Sequence, residues 1–294
     1  MSTKIEWTDE TWNPVMGCSP VSDGCKNCYA ISQMRRFAGM KGWPKDPNVV
    51  TLFPDRLMRP SMWRSRKRVF VCSVSDLFHE DVPFSFIDQI YAAMALSPQH
   101  VFQILTKRPL RMAKYLSAGY VEFCDRLNEA SRTLHRAKPG EDFPVIMPTQ
   151  KHGMVPGVAW PLSNVWHGVT VENVATLNRI KLLRKCRPTR RRFVSFEPLI
   201  GSALKGTAIG EVLQGIDWVI IGGESGPNAR PMHMDWVAEI IEEARECHSH
   251  IFVKQLGSWW AKEHKSKSRK GNIMDEWRTQ FMVRESPDFF LDKT

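Results

Sequence analysis

The chain has 294 residues, 43% hydrophobic and 24% charged, which supports a sizeable core and excludes a disordered chain. Its net charge of +10 points to an anionic partner, most simply nucleic acid, with ordinary solubility charge as the alternative. No run is long enough to span a membrane, and MSTKIEWTDETW carries no apolar leader. The expectation is therefore a cytoplasmic protein with reduced thiols, whose seven cysteines suggest metal binding or catalysis rather than disulfides.

In chain order, a first strand is expected around residues 10–17, followed by the cysteine-rich GCSPVSDGCKNCYA (17–30) and a helix over 28–38. A basic run with one aromatic, RPSMWRSRKR (59–68), leads into the apolar strand RVFVCSVSD (68–76). A helix follows over 84–96, then a strand over 100–108, a helical stretch over 120–137 and a Pro/Gly-rich loop insertion over 138–163. The strand at 164–173 precedes a helix over 172–186 with Val174, Leu177, Ile180 and Leu183 on one face. A second basic run, RKCRPTRRR (184–192), opens the strand at 191–199. Strands at 216–225 and 250–257 flank a helix over 234–247, and the basic KEHKSKSRK (262–270) comes last.

Most of these strands are apolar at consecutive positions, as strands buried on both faces of a parallel sheet are. Their spacing of roughly 30 residues matches one strand–helix unit. The pattern predicts an α/β fold, a parallel sheet wrapped by helices that is either open or curled into a partial barrel.

In such folds the chemistry sits at the carboxyl ends of the strands. Polar residues gather there: Ser73, Ser75 and Asp76 with His79 and Glu80; Thr106, Lys107 and Arg108; Thr170, Glu172 and Asn173; Ser195 and Glu197; Gly222, Gly223, Glu224 and Ser225; Lys254 and Gln255. Any single member could be a helix cap or an ordinary loop residue. Recurrence across six strands is the stronger signal.

Cys18, Cys25 and Cys28 lie within eleven residues, and no other cysteine follows until Cys72. A structural zinc site needs a fourth ligand. A thiol–disulfide couple would use CKNC and leave Cys18 idle. An iron–sulfur cluster held by three thiolates keeps one iron open for a substrate or cofactor. The missing fourth ligand favours the cluster over zinc. Cys124, Cys186 and Cys247 fall in helical patterns and read as buried small hydrophobes.

A three-cysteine loop after the first strand of a parallel α/β barrel resembles the radical S-adenosylmethionine enzymes, although the spacing here is C-x6-C-x2-C where theirs is usually C-x3-C-x2-C. The set IEWTDETWNPVMGCSPVSDGCKNCYA, SDLFHE, LTKRP, GVTVEN, SFEPLIG, GGESGP and FVKQLG, spanning roughly residues 4–290, is more specific. It resembles a phage-borne three-cysteine family, found also in bacteria, that is similar to the spore photoproduct lyase branch. This resemblance implies a partial (β/α)6-7 TIM-like barrel over residues 1–257 and a C-terminal extension over 258–294 packed on or capping it. It also implies a [4Fe–4S] cluster on Cys18, Cys25 and Cys28, S-adenosyl-L-methionine as cofactor and an external electron donor. The expected chemistry is a 5′-deoxyadenosyl radical abstracting hydrogen from a DNA, RNA or nucleotide substrate, in repair or modification. Candidate cofactor contacts are Tyr29, Ser73, Ser75, Asp76, Gly223, Glu224, Ser225 and Lys254, and Cys72 is a candidate catalytic hydrogen donor. Two alternatives stay open: a radical enzyme on a small molecule or peptide, and a non-enzymatic protein that binds metal and nucleic acid.

Overall fold

Seven short apolar runs pair into one parallel sheet, hydrogen-bonded in chain order. They are β1 (Glu10–Trp12), β2 (Arg68–Val71), β3 (Val101–Thr106), β4 (Val165–Thr170), β5 (Arg191–Phe196), β6 (Trp218–Gly222) and β7 (His250–Gln255). The computed structural model describes residues 3, 5–135, 146–148, 158–187 and 189–288. The helices are α1 (Tyr29–Phe37), α2 (Phe84–Ala95), α3 (Pro109–Leu116), α4 (Tyr120–His135), α5 (Asn178–Lys185), α6 (Met234–Glu246) and α7 (Gly257–Glu263).

Strand order that never reverses has a geometric consequence. Parallel crossovers are right-handed, so sequential ones place all their helices on one face of the sheet. The other face must then close on itself. Phe70 of β2 and Trp218 of β6 both pack on Trp7, with ring centroids 4.7 and 6.1 Å away. Those strands are four steps apart, ~19 Å in a flat sheet, so the sheet is strongly curled into a half-barrel.

The concave face is filled near its base by Trp7, Phe70, Trp166, Phe193, Trp218 and Phe252. The convex face, including Val71, Ile104, Val169, Val194, Ile221 and Val253, packs on the helices in the main core. Buried Val237, Ile240, Ile241 and Ala244 of α6 bear out its predicted inward face.

The far edge, β7, is covered rather than bare. Val253 N donates to Val283 O (2.8 Å) and Glu285 N to Ile251 O (2.7 Å), so residues 283–285 run along it and blunt an open strand edge.

Three local differences from the sequence reading have simple causes. The strand expected over 10–17 breaks after Trp12, because Pro14 has no N–H for the ladder; Val15–Met16 pairs instead with Thr51–Leu52. Helix α3 begins on Pro109 at its first position, where a proline is tolerated. The helix expected over 172–186 starts only at Asn178. A 3-10 turn at Val174–Thr176, capped by Asn173, precedes it and leaves Val174 exposed while Ile180 and Leu183 are buried. Most of the 138–163 insertion lies outside the described residues; within it Ile146–Pro148 and Val158–Trp160 form a parallel ladder.

Candidate functional site

The cysteine loop crosses the carboxyl-terminal mouth of the half-barrel, between β1 and α1. Its entry needs Gly17, whose φ of +91° is left-handed and whose Cβ would lie 2.1 Å from Val49 O. Cys28 precedes α1, as predicted, and Cys18, Cys25 and Cys28 are free, half-buried thiols.

Polar strand ends hold this loop from several sides. Next to Cys18, Arg108 Nη2 donates to Ser19 Oγ (2.9 Å) and Ser19 O (3.2 Å). His79 meets Ser19 Oγ at 2.7 Å through Nε2, while its Nδ1 accepts from Asp81 N. Ser22 Oγ donates to Glu172 Oε1 at 2.8 Å. Gly24 lies so close to Glu172 that a Cβ there would meet its Cγ at 2.5 Å.

Asn27, between Cys25 and Cys28, donates from Nδ2 to Glu224 Oε2 (2.9 Å) and to Asn228 O (2.8 Å). Arg230 clamps Glu224 through Nε (3.0 Å) and Nη2 (2.6 Å), and its Nη2 also reaches Asp23 O (3.0 Å). Tyr29 closes the loop by donating to Ser73 O at 2.7 Å.

Two buried carboxylates thus carry the loop. Glu172 is 1% exposed and pairs with Lys107 and with Arg179, the latter at 3.0 Å. Burial pushes its pKa up, but the two cations and the bonds from Lys107 and Ser22 outweigh that and hold it below the ordinary value. Glu224 is 4% exposed. Burial again opposes ionisation there, and the bonds from Arg230 and Asn27 again win. Both sites are ionised anchors with matched cations.

Asp76 is a hydrogen-bond hub inside the mouth. It accepts from Phe78 N (3.0 Å), Thr106 Oγ1 (2.7 Å) and Lys107 N (3.0 Å), so it ties the end of β2 to the end of β3. Ser73 Oγ donates to Asn13 Oδ1 and Ser75 Oγ to Val15 O. The polar atoms of Ser73, Ser75, Asp76 and Glu224 are therefore engaged within the protein.

By strand alternation, Ser195, Glu197, Gly222 and Lys254 follow the inward aromatic layer toward the mouth. Lys254 Nζ donates to Glu197 Oε1 at 2.9 Å, and a Cβ at Gly222 would meet that oxygen at 2.4 Å. Gly223 packs so tightly on Leu256 and Gly257 that a Cβ would lie 2.5 Å from Leu256 O, and Ser225 is half-buried beside it.

Cys72 sits one residue past β2 at a left-handed φ of 59°, buried, with its thiol pushed up to about 12 by burial. Cys18 is likewise pushed up to about 12, by burial first and Asp76 second. Of the remaining cysteines, Cys124 and Cys186 are buried as expected, whereas Cys247 is half-buried and donates to Glu243 Oε1 at 3.3 Å.

The donor set fits a metal–sulfur group. Three soft thiols stand on one loop, and the loop's Ser19, Ser22 and Asn27 are taken up by its anchors. Among the described residues no three His, Cys, Asp or Glu side chains converge on a single-ion site.

Sequence reasoning found the cysteines and the polar strand ends but missed the anchors Ser19, Ser22, Asn27 and Arg230. Asn27 within CKNC and Arg230 shortly after GGES were the available signals. The first two basic runs end at the starts of β2 and β5, the closed end of the barrel, opposite the cysteine loop. Several of their arginines are structural: Arg68 pairs with Asp9, Arg191 with Asp217, and Arg184 donates to Gln214 O.

Residues 2–282 match the family described as "Protein of unknown function (DUF5131)", and the chain belongs to that family. Among solved structures it is similar to spore photoproduct lyase. One match is a tyrosine-to-phenylalanine mutant (10% identity, TM-score 0.41); another is a cysteine-to-alanine mutant with dinucleoside spore photoproduct (10% identity, TM-score 0.40). Each match covers 83% of this chain and 63% of the lyase, so the chain spans less than two thirds of the lyase's length. None of the curated proteins matches the chain. No helix among the described residues is long and apolar enough to cross a membrane.

Proposed function

We propose that this DUF5131-family chain is a radical S-adenosylmethionine enzyme that carries a [4Fe–4S] cluster on Cys18, Cys25 and Cys28 and acts on nucleic acid. The observation that carries the reading is the cysteine loop itself. It bears three free thiols at the mouth of a half-barrel, and polar residues from the ends of β2, β3, β4 and β6 bond to its Ser19, Ser22 and Asn27. His79, the nearest histidine in sequence, is hydrogen-bonded to Ser19.

When bound, the cluster and S-adenosylmethionine would supply reductive cleavage of the sulfonium and hydrogen abstraction from the substrate. The chain's own residues divide the remaining work. Glu172 and Glu224 are positioning residues that hold the loop at the mouth, and Asp76 ties the ends of β2 and β3 together beneath it. Tyr29, Gly223, Ser225 and Lys254 lie at the same end and are the proposed cofactor contacts, with Glu197 orienting Lys254. The aromatic layer below closes the base of the barrel and keeps water from entering there.

The test is anaerobic reconstitution followed by metal and sulfide analysis, then addition of dithionite and S-adenosylmethionine. The expected result is a brown protein with four irons and four sulfides per chain, as a cube requires, that releases 5′-deoxyadenosine. Alanine at any of Cys18, Cys25 or Cys28 abolishes both. A colourless protein that retains zinc refutes the proposal, and an intact cluster without 5′-deoxyadenosine refutes the radical chemistry.

A further inference from the structure

The third basic run has a different position from the first two. Helix α7 leaves the carboxyl end of β7, so residues 257–270 lie on the mouth side. They are fastened to the strand end that anchors the cysteine loop: Ser258 N donates to Glu224 O (2.9 Å), and Gly226 N donates to Ser258 Oγ (3.0 Å). Glu224 in turn holds Asn27.

Beside α7 is a cavity of about 340 Å³ lined by Ser258, Lys262, Lys265, Ser266, Ser268 and Arg269. Its walls carry three cations; the serine hydroxyls serve the loop itself, Ser258 Oγ accepting from Gly226 N, Ser268 Oγ donating to Asn272 Oδ1 and Ser266 bonding to Glu276, whose carboxylate also accepts from Lys267 N at 3.0 Å. Between residues 257 and 271 the chain has five cations against the single carboxylate of Glu263. Lys262, Lys265 and Arg269 are exposed, so their charge faces solvent.

The end of α7 adds a second observation. Ser266 N donates to Ala261 O (2.9 Å) and Lys265 N to Lys262 O (3.3 Å), the paired bonds of a Schellman ending. The left-handed residue in that motif is ordinarily glycine. Here it is Lys265, at φ +50°. Helix α6 ends in the same way on His248, at φ +55°; what sets Lys265 apart is that it borders the cationic recess.

The third observation is Trp259, on α7 and 38% exposed, while its neighbour Trp260 is buried. Trp259 and Lys262 are three residues apart and share a helix face. An exposed indole next to a cationic recess combines base stacking with phosphate contact.

We propose that this recess is a phosphodiester site on the rim of the mouth: Lys262, Lys265 and Arg269 grip the backbone of an unpaired nucleic-acid strand and Trp259 stacks one of its bases. The inference rests on the nucleic-acid substrate proposed above. It is measured on the full chain without cluster or cofactor, so failure of the radical chemistry and failure of this site give separate results.

The assay is fluorescence anisotropy with a fluorescein-labelled 15-nucleotide single-stranded DNA, titrated from 50 to 200 mM salt. Lys262→Ala/Arg269→Ala is expected to lower affinity at least tenfold and to flatten the log affinity–log salt slope by ~1.4, since each of the two phosphate contacts contributes ~0.7 for single strands. Trp259→Ala is expected to cost about tenfold with the slope unchanged. Lys265→Gly is the decisive variant: affinity falls about threefold or more while Tm does not fall, a pairing that a purely structural lysine cannot give. Arg59→Ala/Arg64→Ala removes the same charge at the closed end and should leave affinity within about twofold.

Equal losses in the two double variants mean diffuse electrostatics and overturn the site, as does unchanged affinity in the rim variants. Inorganic phosphate distinguishes a free-anion pocket. If phosphate binds the wild type and not Lys262→Ala/Arg269→Ala while DNA binds both equally, the phosphodiester assignment is refuted.

Discussion

Asn27→Ala tests whether the strand ends hold the cysteine loop. The change deletes the amide that donates 2.9 Å to Glu224 Oε2 and 2.8 Å to Asn228 O. A bond to a charged acceptor is worth ~1.5–3 kcal/mol and a neutral one ~1 kcal/mol. Half-exposure of Asn27 lowers these values, so ~2 kcal/mol is the net loss, or ~30-fold in a local opening equilibrium. The readout is hydrogen exchange of residues 18–30, where the amides of Cys25, Lys26 and Cys28 bond to Ser22 O, Asp23 O and Cys25 O. Their protection should fall ~10–30-fold while that of β3 stays constant. Asn27→Asp should act more strongly, because it sets a second carboxylate against Glu224, with ~5 kcal/mol of repulsion at an effective dielectric near 20 before Arg230 offsets it. Unchanged protection over 18–30, or an equal loss in β3, would falsify the idea that Asn27 is a local latch.

Two further outcomes follow from the packing and the buried histidine. Gly24→Ala forces a Cβ to within 2.5 Å of the buried Glu172 Cγ and should destabilise by ~1–3 kcal/mol in urea titrations; full wild-type stability would mean that Glu172 moves freely. His167 is buried with its Nε2 2.7 Å from the Tyr91 hydroxyl, and burial, with Arg192 second, lowers its pKa to about 3. Below its ordinary value near 6.5 the unfolded chain binds a proton that the folded chain excludes. Stability is therefore full above that pH and falls by ~1.4 kcal/mol per unit toward pH 3. His167→Gln should flatten this acid limb between pH 4 and 6, and an equally steep limb in the variant refutes the assignment.

The strands were legible because a parallel sheet buried on both faces leaves continuous apolar runs, and β2 through β7 each lie within a predicted segment. The break after Trp12 was overlooked, although Pro14 signals it. The cysteines and strand-end polar residues were also legible, since both are local features. Their partnerships were not. Ser22 meets Glu172 across 150 residues and Asn27 meets Glu224 across 197, and no local pattern encodes such a pairing. The basic runs show the same limit: three similar segments fall at opposite ends of the barrel, and only their order relative to the strands decides which reaches the mouth.

By itself, the sequence determined the alternation of strand and helix, the three thiols and the excess positive charge, because each is a property of neighbouring residues. Tertiary structure decided what those features do. Curling the sheet brings the ends of β2, β3, β4 and β6 around one loop, where Glu224 meets Asn27 and Glu172 meets Ser22, while Asp76 ties β2 to β3. A carboxylate's role depends on which cations and amides reach it once it is buried, and the fold alone sets that.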